Sequence, residues 1–165
     1  MSKTDIADKI LLLFNNEHLK TNDIITEKWL KFLLIDKLEE QDKPLVPDAI
    51  LELVAEELIF ANNENGWMLQ LTQKGFNHIY KMDRNKAINN IGKIIMQHFA
   101  EIKAKPNHKL SEIWLKYELM EKLNPKEREL INLAIDSLIR KGYVVLNNER
   151  EFCLVLTQNG FDIIN

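Results

Sequence analysis

Cysteine is nearly missing from this chain: its 165 residues include one, Cys153. A lone thiol excludes an intrachain disulfide framework and a cysteine-rich zinc site, and it suits a reducing compartment. Long apolar runs are missing too. Residues 10–14 are far too few to span a bilayer. The start, Met-Ser-Lys-Thr-Asp, lacks a basic stretch followed by an apolar segment. The expectation is a cytoplasmic protein with no membrane partner. Catalytic signatures are also lacking: there is no Gly-x-Gly-x-x-Gly, no P-loop, no Gly-x-Ser-x-Gly and no His-Glu-x-x-His. The four histidines (His18, His78, His98, His108) are scattered, with none paired at ligand spacing. No enzyme, cofactor or metal is expected, and Cys153 reads as packed filler.

What the chain does have is a phrase used twice. Leu71-Thr72-Gln73-Lys74-Gly75-Phe76 returns as Leu156-Thr157-Gln158-Asn159-Gly160-Phe161, 85 positions later. At that offset residues 2–80 match 87–165 without a gap, and roughly a third of the aligned positions are identical. Ile6, Ile10 and Phe14 fall on Ile91, Ile95 and Phe99; Trp29 falls on Trp114, and Asn62-Asn63-Glu64 on Asn147-Asn148-Glu149. His98 and His108 fall on Leu13 and Asp23, so the repeat does not carry them as a site. The expected organisation is a domain over 1–80, a short joint over 81–86 and a second domain over 87–165. The joint contains no Gly and no Pro, so a short or helical connection at a fairly fixed angle is expected. The formal charge of −3 hides an asymmetry. Residues 2–80 carry −6, the joint +2 and residues 87–165 +1.

Periodicity predicts the same order of elements in each copy. A first helix over 4–15 places Ile6, Ile10, Leu13 and Phe14 on one face. A second spans 27–39, with Thr26 as cap and Leu30, Leu33, Leu34 and Leu38 as its stripe. A third starts at Pro47 and runs to Leu58. A hairpin follows, over 59–61 and 67–71 around a turn of Asn and Gly. Thr72 then caps a short closing helix. In the second copy the first helix covers 87–100 and the second follows Ser111. The third opens on Asn124-Pro125 with Glu127 at the capping-box position, and ends in Arg140-Lys141-Gly142. The strands are expected over 143–147 and 152–156, and Thr157 caps the last helix. Trp29 and Trp114 are expected between helices, and Trp67, aligned with Phe152, as the anchor of the hairpin.

Three helices, a two-stranded hairpin and Leu-Thr-x-x-Gly after its second strand resemble a winged-helix domain. Leu138-Ile139-Arg140-Lys141-Gly142-Tyr143-Val144-Val145 resembles the end of the recognition helix and the start of the wing in bacterial winged-helix regulators of the MarR and PadR kind. The resemblance covers essentially the whole chain, twice. It implies a mainly α fold with small β-hairpin wings (α+β) in two tandem winged-helix domains. The first copy departs from the pattern, with Glu57 where the second has Gly142 and no Lys or Arg at its wing tip.

Two functions follow from the resemblance. The first is a DNA-binding transcriptional regulator, with the third helix in the major groove. Phosphate contact requires cations, which the second domain could supply through Lys126, Arg128, Arg140, Lys141 and Arg150, with Asn132 outward. Lys103, Lys105, His108 and Lys109 form a second small basic group. The alternative is a protein-interaction adaptor without DNA binding, or a homodimer. The first domain's third helix carries Asp48, Glu52, Glu56 and Glu57 and no base, a face that phosphates would repel. On that reading Asp48, Glu52 and Glu56 meet a protein partner.

Overall fold

The computed structural model describes residues 1–147 and 152–165. The chain divides into two compact units, Met1–Lys81 and Met82–Asn165, each a mixed α+β body. The first runs α1 (Lys3–Asn16), β1 (Ile24–Thr26), α2 (Glu27–Leu33), two 3-10 turns (Ile35–Lys37 and Lys43–Leu45), α3 (Val46–Ala55), β2 (Ile59–Asn62), β3 (Met68–Leu71) and α4 (Gln73–Ile79). The second runs α5 (Arg84–Glu101), β4 (Lys109–Ser111), α6 (Glu112–Trp114), a π-helical turn (Leu115–Leu119), α7 (Pro125–Arg128), α8 (Ile131–Arg140), β5 (Val144–Asn147), β6 (Cys153–Leu156) and α9 (Gln158–Ile164). From β1 onward, every strand, the helix before the hairpin and the closing helix recur with the 85-residue offset.

The helices begin where side chains satisfy the first N–H groups. Ser2 and Asp5 exchange the two bonds of a capping box ahead of α1, and Asn124 and Glu127 do the same for α7. Thr26 and Ser111 cap the helices after β1 and β4. Asp83 caps α5 by accepting from the N–H groups of Asn85 and Lys86, so half of the expected joint is the first turn of a helix. Each unit closes its own core. Ile6, Ile10 and Phe14 of α1 meet Ile50 and Leu53 of α3 and Leu69 and Leu71 of β3. Ile91, Ile95 and Phe99 of α5 meet Ile135 and Leu138 of α8 and Leu154 and Leu156 of β6.

Three expectations need correction. Each sheet has three antiparallel strands, ordered β1-β3-β2 and β4-β6-β5, not the two of a bare hairpin. The extra strands are three residues long, too short to display a two-residue period, and register alone reveals them: Ile25 opposite Leu69, and Leu110 opposite Leu154. The second helix of the first unit stops at Leu33 rather than at 39, because Leu34 leaves helical geometry (φ −128, ψ −62) and a 3-10 turn carries the chain onward with Leu38 still buried. The third helix of the second unit is not continuous from Pro125. It breaks between Arg128 and Ile131, and the short capped α7 precedes α8.

The repeated phrase has a physical explanation. The Thr72 hydroxyl accepts from the Gly75 N–H at 2.9 Å, capping α4, and lies 2.7 and 2.9 Å from the carbonyls of Glu57 and Leu58, which share its one proton. Thr157 repeats this with the Gly160 N–H at 3.0 Å and the carbonyls of Gly142 and Tyr143 at 2.6 and 3.0 Å. A Cβ on Gly75 would sit 2.0 Å from the Leu58 oxygen, and one on Gly160 2.1 Å from that of Tyr143. Neither glycine can be replaced without moving backbone.

The two units reverse the chain after their third helix with one backbone shape but different residues. Gly142 takes φ 71 and Glu57 takes φ 58. The left-handed conformation costs a residue with a Cβ about 1–2 kcal/mol, and glycine very little. The Glu57–Lys74 ion pair, 3.2 Å long and exposed on both sides, offsets little of that. Glu57→Gly is expected to stabilise the first unit by about 1 kcal/mol and Gly142→Glu to destabilise the second by a similar amount, read from urea midpoints. Gly160→Ala is expected to cost more than Gly142→Glu, because it drives an atom into a carbonyl rather than straining one torsion.

Candidate functional site

On α8 the outward stripe is Asn132, Asp136 and Arg140, four residues apart and all exposed, with Lys141 exposed at the helix end. Two further expected DNA contacts sit differently. Lys126 and Arg128 are half-buried on α7. The Arg128 Nε–H donates to the carbonyls of Met120 and Leu123, at 2.9 and 3.0 Å, where the preceding helix runs out of internal partners. Arg128 thus pins α7 to the end of the helix before it. Arg150 lies outside the described residues. Lys103, Lys105, His108 and Lys109 are all exposed, Lys103 in a left-handed turn (φ 51) and Lys109 in β4.

On α3 the expected acidic set divides. Asp48 and Glu56 are exposed. Glu52 is half-buried and turned inward, its Oε2 3.2 Å from the Lys3 Nζ and its Oε1 accepting from the Thr4 hydroxyl at 3.1 Å. It ties α3 to α1. Between the two exposed carboxylates stands Leu51, 58% exposed. Sequence reading passed over it, because the run Ile50-Leu51-Glu52-Leu53 offers several apolar residues and only packing decides which one is left outside. The repeat held the signal: Leu51 falls on Asp136, an outward position in the other unit.

The helices after β1 and β4 expose aromatics at equivalent places. Phe32 is 70% exposed and Tyr117 67%, and Ile113 stands one turn before Tyr117 at 70%. Phe32 stands singly, while Ile113 and Tyr117 lie one turn apart. The neighbouring tryptophans pack inward. Trp29 is half-buried against the first core, and Trp114 is buried, stacked on His98 with ring centroids 4.1 Å apart and planes 14° apart. The Trp114 indole N–H finds no acceptor among the described residues. Cys153 is half-buried in β6, not fully buried. Trp67 and Phe152 are half-buried, each against its own unit's core.

Burial holds the His98 imidazole below its ordinary pKa, outweighing Glu118 and Glu101, which act in the opposite direction; Lys122 adds slightly to the lowering. The Lys116 ammonium is raised by its bond to Glu112, 2.7 Å away. Among the described residues no three His, Cys, Asp or Glu side chains gather as a metal site, and no helix is long and apolar enough to cross a membrane. Comparison with protein-family models, curated proteins and solved structures finds no match to the chain.

Two outcomes are expected of variants here. Because His98 is depressed in the folded state, the unfolded chain takes up its proton first as pH falls. The second unit should therefore hold its full stability above the unfolded histidine value, about 6.5, and lose some as pH drops through it toward the folded value. One proton limits that slope to about 1.4 kcal/mol per pH unit. His98→Phe should keep a stacked ring and flatten the difference between unfolding midpoints at pH 5 and pH 7.5. Arg128→Ala should destabilise the second unit by about 1 kcal/mol whether or not any ligand is present, since two carbonyls, one exposed and one half-buried, lose a charged donor.

Proposed function

We propose that the chain is a non-catalytic tandem winged-helix protein whose outward faces serve protein–protein association. The winged-helix reading is supported by the order helix, strand, helix, helix, hairpin, helix in both units, and by the threonine-and-glycine phrase that closes each one. The association reading is carried by one observation. Where a duplex-binding winged helix would present cations, α3 presents Leu51 between Asp48 and Glu56. Phosphates repel that face, and a bare leucine gains nothing from them; another protein offers both an apolar contact and a cation. Phe32, Tyr117 and Ile113 extend the same argument to the helices after β1 and β4.

A second reading, duplex contact through the second unit, is favoured by the exposed Asn132, Arg140 and Lys141 on α8. It is weakened by Asp136 on the same stripe and by the engagement of Arg128 with backbone carbonyls. Fluorescence anisotropy of labelled genomic duplex fragments at about 50 and 200 mM salt separates the two. Non-specific binding, which phosphate attraction gives nearly every duplex binder, tightens steeply at low salt. The association reading predicts no salt-sensitive binding at micromolar protein. Binding that strengthens at low salt and is lost in an Arg140→Glu, Lys141→Glu variant would replace it with the duplex reading.

A further inference from the structure

Between α5 and α8, within the second unit, runs a groove made of two adjoining hollows. One, about 420 Å³, opens beside Arg84, Asn85, Leu133 and Arg140. The other, about 310 Å³, continues past Gly92 to Lys93, Met96, Lys141 and Tyr143. Ile88, Asn89 and Ser137 line both. Among the described residues four cations stand along the groove (Arg84, Lys93, Arg140 and Lys141) and no carboxylate lines it. Its floor is apolar: Ile88, Met96, Leu133, Ala134 and Leu138. Gly92 lies at its middle, where an added Cβ would rest in ordinary contact with Leu138 at 3.5 Å.

The positions 85 residues earlier reverse this chemistry. Lys93 is matched by Asp8, Lys141 by Glu56, Ser137 by Glu52 and Gly92 by Ala7. Glu52 reaches to Lys3 and Thr4 and ties α1 to α3. The second unit thus offers a basic trough with an apolar floor, and the first an acidic ridge with Leu51 at its crest. Along their helix axes Asp48 and Glu56 are ~12 Å apart and Arg84 and Lys93 ~13.5 Å, the latter two flanking the groove-facing stripe of α5 from opposite sides.

We propose that the α5–α8 groove is the docking site for the α3 ridge of a second copy of this chain. Leu51 lies on the floor near Gly92, and Asp48 and Glu56 reach the cations at the two ends. A helix laid by its apolar residues into an apolar groove, with charges fixing the register, is a recurring mode of protein recognition. Because ridge and groove are different surfaces, the contact is heterologous, and it propagates into a ring or a chain of copies. The inference rests on the association reading above and names one partner for it.

Analytical ultracentrifugation of the full chain, from about 10 to 500 μM at low salt, tests it. The average mass should rise with concentration and fall back toward the monomer in about 0.5 M salt, which screens the end charges. Leu51→Lys removes the crest, and Gly92→Trp fills the trough. Each variant should sediment as a monomer alone, and an equimolar mixture should give a discrete one-to-one dimer, because one supplies the intact groove and the other the intact ridge. Should Gly92→Trp fail to fold, Lys93→Glu with Lys141→Glu, both at exposed positions, takes its place and should likewise dimerise with Leu51→Lys. A wild-type chain that stays monomeric throughout, or a mixture that stays monomeric, overturns the proposal. A monomer that also fails to bind duplex fragments removes the second copy as occupant and leaves the association reading standing; a monomer that binds them removes both.

Discussion

Both units are held in shape by one hydroxyl group and the glycine three residues after it. A helix that ends leaves carbonyls without partners, and a helix that begins leaves N–H groups without partners. In each unit a single threonine answers both problems. Thr72 accepts from Gly75 and donates to the carbonyls of Glu57 and Leu58, and Thr157 does the same between Gly160 and the carbonyls of Gly142 and Tyr143. Glycine is required because the carbonyl presses against the place where a side chain would start. The closing helix is thereby locked to the turn after α3 or α8, and the hairpin strands leave from that lock in fixed register: Ile59 pairs with Leu71, and Val144 with Leu156.

With the frame held from within, the outer faces carry little structural duty, and there the two copies part. The residues that make the lock and the core repeat almost unchanged. Several residues that face outward change sign or kind: Asp8 for Lys93, Glu56 for Lys141, Leu51 for Asp136. Electrostatic complementarity of this sort contributes to orientation and choice of partner more than to raw affinity. Other outward positions are kept: Lys31 and Lys116, Lys37 and Lys122, and an aromatic at Phe32 and Tyr117.

Much of the frame was readable from sequence, because caps and turn glycines are local chemistry. Asn124-Pro125 with Glu127, Thr72, Thr157 and the left-handed Gly142 each state their role within four residues. What stayed hidden depends on residues far apart in the chain. Strands of three residues exist only because a partner strand lies beside them. The break before Ile131 and the early end of α2 are set by how the intervening leucines reach the core. Arg128 reads as an exposed cation until Met120 and Leu123 are seen to turn their carbonyls toward it, and Glu52 reads as part of an acidic surface until Lys3 and Thr4 are found beside it. Glu57, in a backbone shape usually given to glycine, shows that tertiary closure can impose a conformation its residue does not favour.

Association, as proposed, sets the exposed faces of α3 and α8 against protein rather than nucleic acid. Backbone amide chemical shifts, followed by NMR as the full chain is concentrated and then as duplex DNA is added to a dilute sample, address it most directly. Association of copies through these faces should give concentration-dependent shifts confined to the Leu51 face of α3 and to the residues lining the α5–α8 groove, with no response to duplex at physiological salt. Shifts on Asn132, Arg140 and Lys141 that appear on adding duplex, with none on concentration, would contradict it.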